Sequence, residues 1–339
     1  MGRRVAVLGG GAMGTACAML LCGQPETDVS IWLRNPQEAE SLLRTRTNAR
    51  YLPGVRLPDA LTVTDDAAVA LRDADWVVAA VPTAYLRATL GPLAPLLPPG
   101  IPIVSVVKGI EMGTLLRPSQ ILRELFGARP VVALCGPSHA EEMVANMPAS
   151  VVAASEDRAT REAAVTLFTT ARFRVYSSED LAGVELAGAL KNVVAIAAGV
   201  SDGLGFGDNA KASLLPRACV ELGRLGQHLS ARPGTFFGLA GIGDLITSCF
   251  SPHGRNRKIG LAIGRGLSLE DALATIPGVA EGVNTCRSVH EIVIRDRLEM
   301  PILSAVHSIL FEGVTPLDAV RSLMTRPPRS ESLTLVIEE

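Results

Sequence analysis

Two hydrophobic periods divide the chain. In the first half, short continuous apolar runs alternate with helical patterns. Arg4–Gly9, Asp28–Leu33, Trp76–Val81, Ile103–Val107, Val131–Cys135 and Val151–Ala154 predict strands, and Phe173–Tyr176 predicts another after a helix over Arg158–Thr169. Runs that are apolar on both faces and separated by helices indicate a parallel sheet covered on both sides. From Ala182 onward the strand signal disappears. Helical patterns follow over Gly183–Val200, Lys211–Leu225, Asn256–Gly264, Ser268–Ile276, Val283–Ile294, Ala305–Phe311 and Pro316–Met324. The change of period sets the expected boundary: an α/β domain over 1–181, an all-α domain over 182–325, and a loose tail over 326–339.

Composition narrows the classes. A chain of 339 residues exceeds one ordinary core, which agrees with two domains. A formal net charge of −2 provides no electrostatic footprint for nucleic acid or an anionic membrane. The longest apolar runs, Trp76–Pro82 and Val193–Val200, fall short of the roughly 20 residues that span a bilayer. Met1-Gly-Arg-Arg leads straight into a strand pattern, so no cleavable signal is expected and a cytoplasmic location is. The 6 cysteines are scattered without a C-x-x-C pair, which suits reduced thiols, and the 5 histidines show no ligand spacing, so no metal is expected.

The first strand runs into Gly9-Gly-Gly-Ala-Met-Gly14, which fits G-x-G-x-x-G with Gly9, Gly11 and Gly14 and opens a helix rich in Ala and Leu. In that context the glycines permit a tight turn, close approach of a pyrophosphate and helix–strand contact, with the phosphate at the helix N-terminus. A Rossmann-type dinucleotide domain is therefore expected. The second strand ends in Arg34, 20 residues after Gly14 (34 − 14), where a carboxylate would hold an NAD ribose. Arg34 is either a 2′-phosphate contact or a solvated cation in an arginine-rich chain.

Cations are the second source of chemistry. Of 32 Lys and Arg, only Lys108, Lys191, Lys211 and Lys258 are lysines, leaving 28 arginines (32 − 4). Lysine offers a compact charge whose proton affinity falls toward neutrality when desolvated, which arginine does not. Lys191 lies among small and apolar residues, Gly183-Val-Glu-Leu-Ala-Gly-Ala-Leu-Lys-Asn-Val-Val-Ala, so its head enters a packed interior or cleft unless it snorkels. Lys108 directly follows a strand, at the sheet edge where ligands of open α/β folds bind, and Gly136-Pro-Ser138 reaches the same edge. Asp244 follows Gly241-Ile-Gly, as a site residue or an N-cap. Gly254-Arg255-Asn256 opens a helix, suited to a phosphate dianion or else a polar loop.

These segments occur in one order: Gly-x-Gly-x-x-Gly-Thr-Ala, Trp32-x-Arg-Asn, Tyr51-Leu-Pro-Gly, Val81-Pro-Thr, Lys108-Gly-Ile-Glu, Gly136-Pro-Ser-His-Ala-Glu-Glu, Leu190-Lys-Asn-Val-Val-Ala-Ile-Ala-Ala-Gly, Gly207-Asp-Asn-Ala-Lys-Ala, Gly241-Ile-Gly-Asp-Leu, Gly254-Arg-Asn-Arg-Lys and Val279-Ala-Glu-Gly-Val. From about residue 4 to about residue 325 the chain resembles the bacterial NAD(P)-dependent sn-glycerol-3-phosphate dehydrogenases. The resemblance implies hydride transfer between NADP(H) or NAD(H) and dihydroxyacetone phosphate, giving sn-glycerol 3-phosphate for phospholipid synthesis.

Carried over by motif, Lys191 is implied as general acid/base, with Lys108 and Asp244 lining the reacting carbon. Gly136 and Ser138 are implied to touch substrate, and Gly254, Arg255 and Asn256 to hold its phosphate. Ala12, Met13, Lys108, Ala140, Arg255, Val279 and Glu281 are implied along the cofactor. The family commonly has Ser and an aromatic where this chain has Ala12 and Met13, Ser where it has Gly254, and Thr where it has Ser248. Partners are then a small phosphorylated triose, without nucleic acid or an integral membrane segment; the sequence leaves the oligomeric state open, a homodimer included. Two other readings stay open: a β-hydroxyacid or ketopantoate-type dehydrogenase of the same architecture, and a non-catalytic NADPH-binding redox sensor.

Overall fold

Every apolar run of the first half forms a strand in the computed structural model, which describes residues 2–276 and 278–328. The order is β1 (Arg3–Leu8), α1 (Ala12–Cys22), β2 (Thr27–Trp32), α2 (Pro36–Thr45), β3 (Thr62–Thr64), α3 (Ala67–Leu71), β4 (Trp76–Ala79) and α4 (Thr83–Leu90). It continues with β5 (Ile103–Ser105), α5 (Pro118–Phe126), β6 (Val131–Cys135), α6 (Ala140–Val144), β7 (Ala149–Ala154), α7 (Arg158–Phe168) and β8 (Phe173–Ser178). They make one 8-stranded sheet, β3-β2-β1-β4-β5-β6-β7-β8. The chain builds outward from β1 to one edge and from β4 to the other. The carboxyl ends of these two neighbours therefore form a topological switch point.

Val7, Ile31, Val78, Val104 and Val132 pack with Leu21 of α1 and Phe168 of α7 in one core. Each such side chain contributes roughly 1.5–3 kcal/mol through burial. Local signals set the helix starts. Asn35 accepts from the Gln37 and Glu38 amides to cap α2, and Asp157 caps α7 through the Thr160 amide. The sheet departs from the parallel expectation at one joint: β7 runs antiparallel to β6, with Leu134 opposite Ala153. The only helix between them, α6, has 5 residues, about 7.5 Å of rise, too little to carry the chain back for a parallel return. β3, with 3 residues of alternating threonine, carries too little apolar character to stand out in the sequence.

A second compact unit comprises Gly109–Arg117 and the chain from Ala182 onward, while Pro118–Leu181 groups with the sheet. Its helices are α8 (Leu181–Gly203), α9 (Asp208–His228), α10 (Asp244–Phe250), α11 (Arg255–Gly264), α12 (Leu269–Ala274), α13 (Glu281–Arg295), α14 (Pro301–Phe311) and α15 (Pro316–Met324). Two contacts bind the 109–117 segment into this unit. Arg117 pairs with the buried Glu185 carboxylate, and Ser288 Oγ donates to the Ile110 carbonyl at 3.1 Å. By length and composition α8 could cross a bilayer, but 89% of its most apolar window is buried inside the protein, which marks an interior helix. Val193, Val194 and Ile196 of α8 and Ile259 of α11 lie in this unit's core.

α8 and α11 touch backbone to backbone. A Cβ on Gly199 would lie 2.0 Å from the Arg257 carbonyl oxygen, and one on Gly260 would lie 2.0 Å from that of Ile196. Of the expected tail, 326–328 is described and 329–339 lies outside the described residues.

Candidate functional site

The glycine turn sits at the switch point. Gly9 has φ +120°, and a Cβ there would meet the Ala80 carbonyl oxygen beyond β4 at 2.8 Å. A Cβ on Gly14 would lie 2.0 Å from the Gly9 oxygen, so α1 can lie against β1 only with glycine there. Gly11 differs: nothing lies within 4 Å of where its Cβ would be. The N-terminus of α1 has no side-chain cap and no acidic residue in its first turn. Uncapped amides beside open space are what a pyrophosphate requires, so the residues present fit a dinucleotide. Ala12 packs with the small cluster of Ala16, Leu52 and Ala140, and Met13 packs against the sheet core. Those two positions can thus offer a ligand mainly their backbone amides.

The turn is also held from a distance. Asn48, 5% exposed, donates through Nδ2 to the Gly10 carbonyl at 2.9 Å and to Thr15 Oγ1 at 2.8 Å. Arg34 is exposed beyond β2 and donates to Thr89 Oγ1 at 3.2 Å. Beyond β5 and β6, Lys108 Nζ and Ser138 Oγ both donate to the Gly136 carbonyl, each at 3.1 Å. Lys108, Gly136 and Ser138 thus gather at one sheet edge. Gly136, at φ +154°, lies where a Cβ would meet the Val151 backbone at 2.8 Å.

In the second unit Lys191 is buried, as its apolar surroundings imply, but it is not a lone charge. Nζ donates to Asp244 Oδ1 at 2.8 Å and to Ser248 Oγ at 2.6 Å. The side chains of Lys191 and Asp244 are 8% and 3% exposed. Asp244 is no N-cap. It follows a single wide π turn over Leu239–Gly243, begins α10, and directs its carboxylate sideways to Lys191. Ser248 is one helical turn further on, which places both groups on one face of α10. The sequence singles out Ser248 only as the position where the family has Thr, and the Asp–Ser spacing of i, i+4 is the signal that would have placed it beside Asp244.

The N-terminus of α11 is likewise without a side-chain cap, with Gly254 as its N-cap, Arg255 exposed and Asn256 half-buried. Asn256 Oδ1 accepts from the Gly282 amide at 3.1 Å, which fixes the side chain against the first turn of α13. A Cβ on Gly282 would meet the Asn192 carbonyl oxygen at 2.6 Å, so α8, α11 and α13 converge there. Glu281 begins α13, with Val279 just before it. Behind this end, Asp202 binds Lys211 Nζ at 2.7 Å and Arg257 at 2.7 Å, anchoring α11 to α8 and α9.

The remaining chemistry-bearing groups lie elsewhere. All 6 cysteines are free thiols, and burial pushes Cys17, Cys249 and Cys286 up to about 12, so these are packed thiols rather than nucleophiles. Among the described residues, the ligand atoms of His290, His307 and Glu312 lie within 4.8 Å of one another. The two imidazoles are stacked 3.5 Å apart, 6° from parallel, so their in-plane lone pairs run side by side and do not converge on an ion.

Residues 4–161 match the family model described as NAD-dependent glycerol-3-phosphate dehydrogenase N-terminus, and residues 180–321 match its C-terminus. A glycerol-3-phosphate dehydrogenase [NAD(P)+] of Prosthecochloris aestuarii is 46% identical over 330 residues, covering 96% of this chain and 99% of that protein. One of the same description from Chlorobium limicola is 47% identical over 330 residues, with 96% and 99% covered. The crystal structure of a glycerol-3-phosphate dehydrogenase from Coxiella burnetii superposes with a TM-score of 0.92 at 34% identity, covering 96% of this chain and 99% of that one.

Proposed function

Because the chain belongs to the family of NAD-dependent glycerol-3-phosphate dehydrogenases, we propose that it reduces dihydroxyacetone phosphate to sn-glycerol 3-phosphate with NAD(P)H, reversibly. The product is the backbone of glycerophospholipids. The observation that carries this reading is the buried Lys191–Asp244–Ser248 group in the same unit as the uncapped N-terminus of α11. One supplies a proton donor for a ketone oxygen and the other an anion site for a phosphate.

The sheet unit is the dinucleotide-binding domain, with Gly9, Gly11, Gly14 and the amides of Ala12 and Met13 receiving the pyrophosphate. Arg34 meets a 2′-phosphate, and Ala140, Val279, Glu281, Lys108 and Arg255 border the cofactor. When bound, the reduced nicotinamide supplies the hydride. The helical unit is the substrate domain. Arg255 and Asn256, beside Gly254, hold the phosphate through charge-assisted hydrogen bonds and the helix N-terminus. Lys108, Gly136 and Ser138 steady the triose. As the carbonyl oxygen gains charge, Lys191 Nζ gives it a proton, while Asp244 and Ser248 keep the ammonium aimed. In the reverse direction the same amine accepts the hydroxyl proton.

A carboxylate substrate such as ketopantoate would make no demand for a phosphate-binding helix end, and a sensor would need no buried proton donor. The test is NADPH oxidation by the purified protein with dihydroxyacetone phosphate, with NADH in parallel and with 2-ketopantoate and short β-hydroxy acids as competitors. Faster turnover of a carboxylate substrate, or cofactor binding without any turnover, would overturn the reading. The free thiols suit a reducing cytoplasm. A homodimer is the assembly to test by sedimentation.

A further inference from the structure

We infer that Asn48 is a positioning residue for the dinucleotide turn, its side-chain amide fixing the Gly10–Gly11 peptide so that the Gly11 N–H faces the pyrophosphate. This rests on the glycine turn being the cofactor site. The C=O and N–H of one trans peptide point in opposite directions. Asn48 Nδ2 donates to the Gly10 carbonyl at 2.9 Å, and the Thr15 hydroxyl donates to the same oxygen at 3.4 Å. With that oxygen held on the Asn48 side, the Gly11 N–H of the same peptide points away from it, in a turn where the position of a Gly11 Cβ is open for 4 Å. A glycine-rich turn is otherwise free to rotate this peptide. Asn48 supplies the restraint that glycine lacks.

Asn48 is itself held in place. The segment from Arg46 to Leu61 closes on itself. The Leu57 amide donates to the Arg46 carbonyl at 2.8 Å, the Arg46 guanidinium donates to the carbonyls of Pro58 and Leu61, and Thr47 bridges Arg56. Its Leu52, Leu57 and Leu61 are 1–2% exposed, and Leu52 packs with Ala16 of α1 and Ala140 of α6. Asn48 Oδ1 accepts from the Tyr51 amide at 3.3 Å, which orients the NH₂ group toward the turn. A closed, packed loop thus holds one donor against one carbonyl 38 residues away.

The experiment is NADPH and NADH binding, read by fluorescence without substrate, for wild type, Asn48→Ala and Thr15→Val. Inhibition by 2′-AMP, which lacks a pyrophosphate, is measured alongside. Asn48→Ala should weaken both dinucleotides by the same factor, about tenfold, the effect of one buried hydrogen bond. Its 2′-AMP inhibition and kcat at saturating cofactor should stay near wild type, while the melting temperature falls by several degrees because buried hydrogen bonds are lost. Thr15→Val keeps the packing and should weaken both dinucleotides about threefold, and it decides the matter if Asn48→Ala does not fold. Dinucleotide affinity within twofold of wild type in the variant that folds, or a loss of 2′-AMP inhibition as large as the loss of NADPH affinity, would overturn the role. A wild type that binds NADPH but leaves dihydroxyacetone phosphate unreduced would sink the proposed activity while these binding ratios still judge Asn48.

Discussion

Lys191 Nζ donates a hydrogen bond to Asp244 Oδ1 across 2.8 Å, with the Asp244 side chain 3% exposed. Two charges share one dry site, so each depends on the other: removing one partner leaves an uncompensated buried ion, at about 3–5 kcal/mol. Lys191→Ala should therefore melt well below wild type, and Lys191→Met with Asp244→Asn should recover most of the loss. In activity, Lys191→Ala and Lys191→Arg should both lose at least about 10²-fold in kcat, because a guanidinium does not exchange a proton near neutral pH. Near-normal turnover by Lys191→Arg would leave only a charge-stabilising role for this position.

The proposed phosphate end separates into two kinds of contact. Arg255 is exposed, so Arg255→Ala should raise KM for dihydroxyacetone phosphate by roughly thirtyfold, about 2 kcal/mol, and spare residual activity on unphosphorylated dihydroxyacetone. Asn256 already gives its oxygen to the Gly282 amide. Asn256→Asp keeps that acceptor while turning the donor into an anion, so it should fold normally and lose phosphate affinity. If both substrates suffer equally, these residues serve the fold or the cofactor.

Cofactor choice hinges on the end of β2. Arg34 stands there exposed, and Asn35 is committed to capping α2. The residues just beyond β2, Leu33-Arg34-Asn35, offer no carboxylate for a ribose diol, so both cofactors should work, with a modest NADPH preference that shrinks as salt rises. Arg34→Asp should reverse that preference mainly through KM. A wild type that prefers NADH, with a ratio unmoved by Arg34→Asp, would place selectivity elsewhere.

Glu221 makes stability depend on pH. Its carboxylate lies inside the helical unit and accepts from the Ile302 amide at 2.9 Å and the Leu303 amide at 3.2 Å, capping α14. Burial outweighs these donors and raises its pKa from 4.5 to about 7. The folded state thus holds this proton more tightly than the unfolded chain. Stability from this group is full below pH 4.5 and falls as pH rises toward 7, by on the order of 3 kcal/mol. Glu221→Gln should flatten that part of the profile in denaturant titrations at several pH values. An unchanged slope would mean that the carboxylate is ionised throughout.

The sequence disclosed what depends on local pattern. Val5–Leu8 and Val77–Ala79 are buried on both faces and read as strands, and the glycine spacing placed the turn at the end of β1. Direction was not legible in the run Val151–Ala154, because an apolar strand looks alike either way. The antiparallel joint follows from the shortness of α6. The grip of Asn48 on Gly10 was equally hidden, since it spans 38 residues and leaves no periodic trace. Lys191 stood out by its surroundings and Asp244 as a site residue or N-cap, but nothing local joins the two, because they are 53 residues apart.

The crossing of α8 and α11 acts as a ruler. Backbone contact through Gly199 and Gly260 leaves no side chain to repack at the crossing point, so the separation there is set by the peptide chains themselves. Lys191 lies along one helix and Arg255 at the head of the other, so, on the proposed roles of these residues, the span from protonated oxygen to bound phosphate has little room to stretch. Selectivity for chain length would then reside in that fixed span more than in a pocket wall. A ketose phosphate with one more carbon between carbonyl and phosphate should fail even where the cavity has room for it. Enlarging the cavity by truncating side chains should not admit it, whereas prying the helices apart with Gly260→Ala should blur the distinction and weaken both substrates.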